Sequence, residues 1–219
     1  MRIIKFYIGH DNDVTMQMIG QGAEAKVFRT MYMERDAILK VRPMKGYRHP
    51  ELDRKLRASR TKNEARLMRE ARAAGVRTPV IYDVDLKECS IIMEYISGKR
   101  VKEILDEHPE RSEELCRMIG EALAKLHRAK ICHGDLTTSN MILTSEGELC
   151  LIDLSLGDTT IDIEEMGVDI HLMKRAFTSA HSCIDDKFDV LIDSYKANTA
   201  DGESVMRRVD DIKSRGRYT

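Results

Sequence analysis

The chain has 219 residues, 36 Lys/Arg against 37 Asp/Glu, with 42% apolar and 33% charged residues; that is enough apolar chain for a substantial core and excludes a disordered polymer. No segment approaches the roughly 20 apolar residues of a membrane span, and the start (Met1, Arg2, Ile3, Ile4, Lys5, Phe6, Tyr7) lacks a secretory signal, so a cytoplasmic protein with no membrane partner is expected. Five cysteines with no C-x-x-C spacing and seven histidines without ligand spacing read as reduced, packing side chains and argue against zinc.

In chain order, the first informative segment is residues 19–28, where strand-like apolar ends (Ile19, Val27, Phe28) flank a turn of small residues (Gly20, Gly22, Ala23, Ala25). Backbone without bulky side chains can approach phosphate oxygens closely. An ordinary hairpin has the same pattern, and the value of this one lies in its position ahead of residues 37–41 (Ala37, Ile38, Leu39, Lys40, Val41). There Lys40 sits where a kinase strand carries the lysine for the α- and β-phosphates of ATP. Ile19, Gly20, Gly22, Ala23 and Val27 are therefore candidate ATP contacts. Lys40 needs a carboxylate on the following helix, and Glu64 is the better candidate, with Glu70 second. Ala65, Leu67, Met68 and Ala71 give that helix its apolar positions, and Ala74 and Gly75 end it.

Between Arg42 and Arg72 there are eleven Lys/Arg against four Asp/Glu (Glu51, Asp53, Glu64, Glu70). A solvated helix face can look like this, but the density suits a polyanion or an acidic partner surface. Residues 90–98 then read as an apolar strand running into a small-residue break, a hinge between two lobes. The backbone of Glu94 and Ile96 would bind adenine there, with Met93 at the back of the pocket.

The strongest signal follows a helix marked by Leu115, Met118, Ile119, Ala122, Leu123 and Leu126. Residues 133–140 run His133, Gly134, Asp135, Leu136, Thr137, Thr138, Ser139, Asn140, and Asp153 comes thirteen residues after Asn140. Phosphoryl transfer from ATP needs a carboxylate to orient the attacking oxygen, and an amide and a second carboxylate to hold Mg²⁺. Asp135, Asn140 and Asp153 fill those roles, with Lys40, Asp135 and Asn140 catalytic, Asn140 and Asp153 on the metal, and His133 as a structural brace. Between them, residues 141–143, the turn Glu146, Gly147, Glu148 and residues 149–152 read as a β-hairpin.

Six acidic and no basic residues lie from Asp153 to Asp169, whereas Arg207, Arg208, Lys213, Arg215 and Arg217 crowd the last thirteen positions. Such a basic end often contacts phosphate backbones, and a frayed end can also carry one. No Ala-Pro-Glu follows Asp153, and a new helical pattern (Val168, Leu172, Met173, Ala176, Phe177) starts within sixteen residues, leaving little chain for a peptide-docking platform. The expected architecture is α+β, a reduced bilobal kinase-like fold. Its parts are a small β-rich N-lobe over 1–96, a truncated helical C-lobe over 97–206 without a full activation segment, and a basic tail over 207–219.

Taken together, the loop at 20–25, the stretches 47–53 and 60–66, residues 133–140 and the closing Arg215, Gly216, Arg217 resemble the small atypical kinase/ATPase subunit of the KEOPS complex, the PRPK/Bud-type family of RIO-like kinases. The resemblance covers nearly the whole chain. It implies Mg²⁺-dependent ATP hydrolysis with serine/threonine autophosphorylation, in support of threonylcarbamoyl modification of an adenosine beside the tRNA anticodon. It further implies docking of the C-lobe on a sugar-kinase-like transferase subunit, of the N-lobe on a small regulatory subunit, and approach of the tail and the basic N-lobe surface to tRNA. The chain departs from the family at Leu154 and Ser155, where Phe and Gly usually follow the metal carboxylate. Two alternatives belong to other classes: a small-molecule kinase of the aminoglycoside or choline type, for which only 66 residues after Asp153 are few, and a non-catalytic tRNA-binding scaffold that keeps a nucleotide pocket.

Overall fold

The computed structural model describes residues 16–160 and 162–215; Met1 to Tyr7, Gly216 and Arg217 lie outside it. The chain divides into two compact units, residues 1–69 with 79–95, and residues 70–78 with 96–219.

The first unit is built on an antiparallel sheet of β1 (Gln17–Gln21), β2 (Lys26–Tyr32), β3 (Arg35–Val41), β4 (Ile81–Asp85) and β5 (Ser90–Glu94), in the order β1-β2-β3-β5-β4. Alternation along β3 puts Ala37 and Leu39 on one face, where they pack with Ile92, Phe28, Tyr32, Val41 and Tyr82. Lys40 has the opposite parity and is nevertheless buried. Helix α1 (Pro50–Ala73) opens on a proline at its first position with Glu51 and Asp53 in the first turn, both favourable at the positive end of a helix. It stops at Gly75, whose φ is +82°. The Gly75 N–H bonds to the Arg72 carbonyl (3.1 Å) and the Val76 N–H to the Ala71 carbonyl (3.0 Å), the paired bonds of a Schellman ending that needs a left-handed residue.

The second unit holds α2 (Val101–Glu107), α3 (Ser112–Arg128), α4 (Ile163–Ala180), α5 (Phe188–Ala197) and α6 (Gly202–Arg215). Its sheets are small: β6 (Gly98–Arg100), β8 (Met141–Thr144) and β9 (Leu149–Leu151) form one, and β7 (Ile131–Cys132) pairs with β10 (Asp158–Thr159). The hairpin read from the sequence is β8–β9, with Ile142 opposite Cys150. Helix α3 buries Leu115, Ile119, Ala122, Leu123 and Leu126 and packs on α5, while α4 packs on α6.

Two sequence expectations are corrected. The inward face of α4 is Met166, Ile170, Met173 and Phe177, with Asp169 among them, whereas Val168 and Leu172 are 37% and 38% exposed. The boundary expected at 206/207 falls inside α6, so Arg207, Arg208, Lys213 and Arg215 are helical; Arg215 pairs with Glu164 at 2.9 Å, which ties that end back to α4. No helix among the described residues is long and apolar enough to cross a membrane.

Candidate active site

In the first unit the β1–β2 connection is a tight turn in which the Gly22 N–H donates to the Ala25 carbonyl at 2.9 Å. Ile19 and Gly20 lie at the end of β1, Gly22 and Ala23 are exposed on the turn, and Val27 pairs with Lys40 across β2 and β3. The turn and the lysine are therefore fixed by one register. Lys40 Nζ lies 2.7 Å from Glu64 Oε1. Glu64, and not Glu70, meets Lys40, because Glu64 falls on the inward stripe of α1 with Leu67, Met68 and Ala71. Its second oxygen accepts from Arg42 Nη2 at 2.6 Å, so one carboxylate 1% exposed answers two buried cations. Met93 is buried in β5 opposite Ile38, and the Glu94 N–H is taken by the Val80 carbonyl at 2.8 Å.

In the second unit, also the location of buried Ile96, residues 133–140 are held from beneath by Asp169 of α4. The N–H groups of His133 and Gly134 donate to its two oxygens at 2.7 and 2.9 Å, and His127 Nε2 lies 3.4 Å from Oδ2. The Tyr195 hydroxyl donates to His127 Nδ1 at 2.9 Å, which completes the ring's partners. Burial raises the Asp169 pKa, but the hydrogen bond and electrostatic attraction of the His127 ring, the attraction of the His133 ring and the His133 N–H outweigh it and hold the carboxyl below its usual range. Gly134 has φ +77°, and a Cβ there would meet the Leu156 carbonyl oxygen at 2.2 Å, so the turn demands glycine.

His133 braces the loop in a defined tautomer: Nε2–H donates to the Ile152 carbonyl (3.1 Å), and Nδ1 accepts the Asp135 N–H (3.3 Å). Asn140 Nδ2 donates to both the carbonyl (2.8 Å) and the carboxylate (3.0 Å) of Asp135. Those two hydrogen bonds turn the amide oxygen, the ligand end for a hard cation, away from Asp135. The Ile152 N–H donates to the Asn140 carbonyl at 2.9 Å, which brings the chain at Asp153 alongside Asn140. Asp153 itself has φ +61°. Leu154 is fully buried, and Ser155 donates its N–H to Asp153 Oδ1 at 3.4 Å. The left-handed residue is thus the carboxylate and not the serine standing in glycine's place.

The oxygen donors Asn140 and Asp153 fit Mg²⁺, which takes carboxylate and amide oxygens. His127, Cys132 and Asp169 also lie close together, within 4.8 Å by their ligand atoms. Both ring nitrogens of His127 are already hydrogen-bonded, and burial holds the Cys132 thiol well above its ordinary range, so this cluster acts as a brace. Burial likewise pushes Cys116 up to about 12; four of the five thiols are buried, and none is bridged.

Sequence reading missed Asp169, His127 and Tyr195 as parts of the site. The signal available was a carboxylate and an imidazole, each on the apolar stripe of an otherwise well-patterned helix.

The fold and this loop define the class, a kinase-like phosphotransferase fold with a β-rich first unit and a helical second one. A family model described as the RIO domain matches residues 14–178. The KEOPS complex subunit Bud32 of Pyrococcus abyssi is 42% identical over 213 residues, covering 93% of this chain and 96% of that one. The Gibberella zeae EKC/KEOPS subunit BUD32 is 36% identical, over 91% and 85% of the two chains. A probable bifunctional tRNA threonylcarbamoyladenosine biosynthesis protein of Methanothermobacter thermautotrophicus is 42% identical over 92% of this chain, which spans 36% of that longer protein. Among solved structures, the Rio2 kinase–ADP/Mg²⁺–phosphoaspartate complex of Chaetomium thermophilum superposes with a TM-score of 0.64 at 12% identity, over 93% of this chain and 72% of that one. The chain belongs to the KEOPS subunit Bud32 family of RIO-domain, kinase-like proteins.

Proposed function

We propose that this protein is a Mg²⁺-dependent ATPase and atypical serine/threonine kinase, working in the cytoplasm as a KEOPS subunit in tRNA threonylcarbamoyladenosine formation. The observation that carries the reading is the Asp135–Asn140 pair on a loop whose backbone is locked by buried Asp169. In this reading Asp135, exposed at the loop, orients the attacking water or hydroxyl oxygen and receives its proton. Asn140 and Asp153 hold Mg²⁺, which offsets the charge of the phosphates. Lys40, kept extended by Glu64, positions the α- and β-phosphates, and Gly20, Gly22 and Ala23 offer backbone N–H groups over them. Val27, Ile19 and Met93 provide apolar surface for the base, and the backbone of Glu94 and Ile96 its polar contacts.

For partners, the reading assigns the sugar-kinase-like transferase subunit to residues 97–206 and the small regulatory subunit to residues 1–96. tRNA falls to the basic face of α1 and to residues 207–219. The names of the relatives support the assembly, and the short run after Asp153 supports a reaction that needs no peptide groove.

The test is ATP turnover with Mg²⁺ for wild type, Asp135→Ala and Asp153→Ala, scored as free phosphate and as phosphoprotein, with and without the transferase subunit and tRNA. Both substitutions should lower both products by at least about 100-fold. Unchanged turnover in Asp153→Ala would remove the phosphotransfer reading.

A further inference from the structure

The basic stretch contains a feature that nucleotide chemistry leaves unused. In the first unit Arg42, Lys45, Arg48, Arg57 and Arg60 line one small pocket in which, among the described residues, Glu24 is the only acidic one. Arg57 Nη1 donates to the Arg42 carbonyl at 3.1 Å, but among the described residues the carboxylate partners of these cations are few. Arg57 Nε bonds Asp53 at 2.6 Å and Arg48 lies 3.7 Å from the same carboxylate. Arg42 shares Glu64 with Lys40, and Lys45 Nζ donates to the Ala23 carbonyl at 2.6 Å. Among the described residues, five cations therefore face three carboxylates, one of them divided with a sixth cation. The deficit also has a specific address: Arg42 is 2% exposed, and among the described residues its Nε is buried with no hydrogen-bond partner. A buried cationic N–H without an acceptor is costly, and an anion in the pocket removes that cost.

The free space is about 10 Å³, room for no more than one water. The position an anion needs is filled by the protein's own carboxylate, since Glu24 ion-pairs with Arg60 from the turn between β1 and β2. The two side chains are 38% and 35% exposed, and a pair that open shifts an equilibrium by no more than about fivefold.

We propose that this pocket is a phosphate site in which a dianionic phosphate group replaces the Glu24 carboxylate. Guanidinium forks match the oxygens of a tetrahedral anion, and the second negative charge answers the cation excess that one carboxylate leaves. Arg42 Nε gains its acceptor, while Glu24 is released together with one tether of the glycine-rich turn; the Lys45 bond to Ala23 is the other. The site goes beyond the ATPase reading and is independent of it.

The test titrates inorganic phosphate into the full chain at constant ionic strength against chloride, read by calorimetry and ³¹P NMR without ATP hydrolysis. One site is expected. Glu24→Gln should tighten it by about two- to fivefold by removing the competing anion. Arg48→Gln and Arg60→Gln should each weaken it by at least about tenfold, with thermal melts confirming that they fold. Phosphate binding should persist under saturating Mg-ATP. Displacement of phosphate by a 5′-phosphorylated 12-nucleotide single-stranded RNA but not by its 5′-hydroxyl form identifies a terminal phosphate monoester as the source, and no displacement by either identifies free phosphate; displacement by the 5′-hydroxyl form, whose backbone phosphodiesters carry one charge each, overturns the dianion site. Absent binding, affinity indifferent to both arginine substitutions, or full displacement by Mg-ATP overturns the proposal.

Discussion

Glu64 in the first unit and Asp169 in the second are both buried carboxylates, 1% and 2% exposed, yet they hold their partners by different means. Glu64 answers charge with charge, gripping the tips of two long side chains, Lys40 and Arg42. Asp169 answers backbone: its two oxygens take consecutive N–H groups at His133 and Gly134, and only its third partner is a side chain, His127. The first arrangement positions a cation and leaves the sheet beneath it intact. The second fixes the path of the chain, so every side chain on that loop depends on it. In the proposed function, a lysine that follows phosphates can rest on a replaceable ion pair, whereas a carboxylate and amide that keep their spacing require a locked backbone.

The largest effect expected from breaking this comparison is at Glu64. Glu64→Ala leaves two buried cations without their carboxylate and should cost about 3–5 kcal/mol in denaturant unfolding. Adding Arg42→Met should recover part of that loss, since one orphaned charge is then gone. A cost no larger than that of a surface substitution would mean that Lys40 and Arg42 do not rely on Glu64.

Next in size, Asp169→Asn keeps the volume but can accept with one oxygen only, and should cost about 2–3 kcal/mol at neutral pH. Its pH signature sharpens the contrast. Because the folded pKa of Asp169 lies below its ordinary value of 3.8, its contribution is present above 3.8 and is lost as pH falls through the folded value. The variant should therefore show a flatter acid limb of stability than wild type; parallel limbs would assign the acid sensitivity elsewhere.

The smallest effect is at His181, where Nε2 meets the Thr138 hydroxyl at 2.9 Å and Nδ1 lies 3.3 Å from Asp106. Burial lowers its pKa and Asp106 only partly restores it, so the folded state resists a proton that the unfolded chain takes up near 6.5. Stability should be full above 6.5 and decline as pH falls from there through the folded value. His181→Gln should remove that decline at a cost of about 1 kcal/mol, measured by melts between pH 5 and 8.

Much of this was legible in the chain. The hairpin at 141–151 and the buried helix before the loop follow from periodicity and spacing, because each is set within one element or by adjacent strands, and the Lys40–Glu64 pair joins a strand to the helix that follows it. The face of α4 was misjudged because Val168 and Leu172 are apolar while the inward Asp169 is not. A charge on the buried stripe reads as an error until its partners, 35 and 36 residues earlier, are seen. At residues 153–155 the positive φ belongs to Asp153 and not to Ser155, which stands where glycine is usual.

The sequence by itself determined the order of elements, the candidate phosphate, metal and loop residues, and the basic charge of α1, since these depend on composition and short-range period. Only the tertiary structure decided which carboxylate braces the loop, that Arg42 shares Glu64 with Lys40, that residues 207–215 form a helix on α4, and that five basic side chains line one pocket with Glu24 of the glycine-rich turn. Each of those rests on a contact between residues far apart in the chain, and burial sets its strength: the same ion pair or hydrogen bond is worth little in water and much inside the protein.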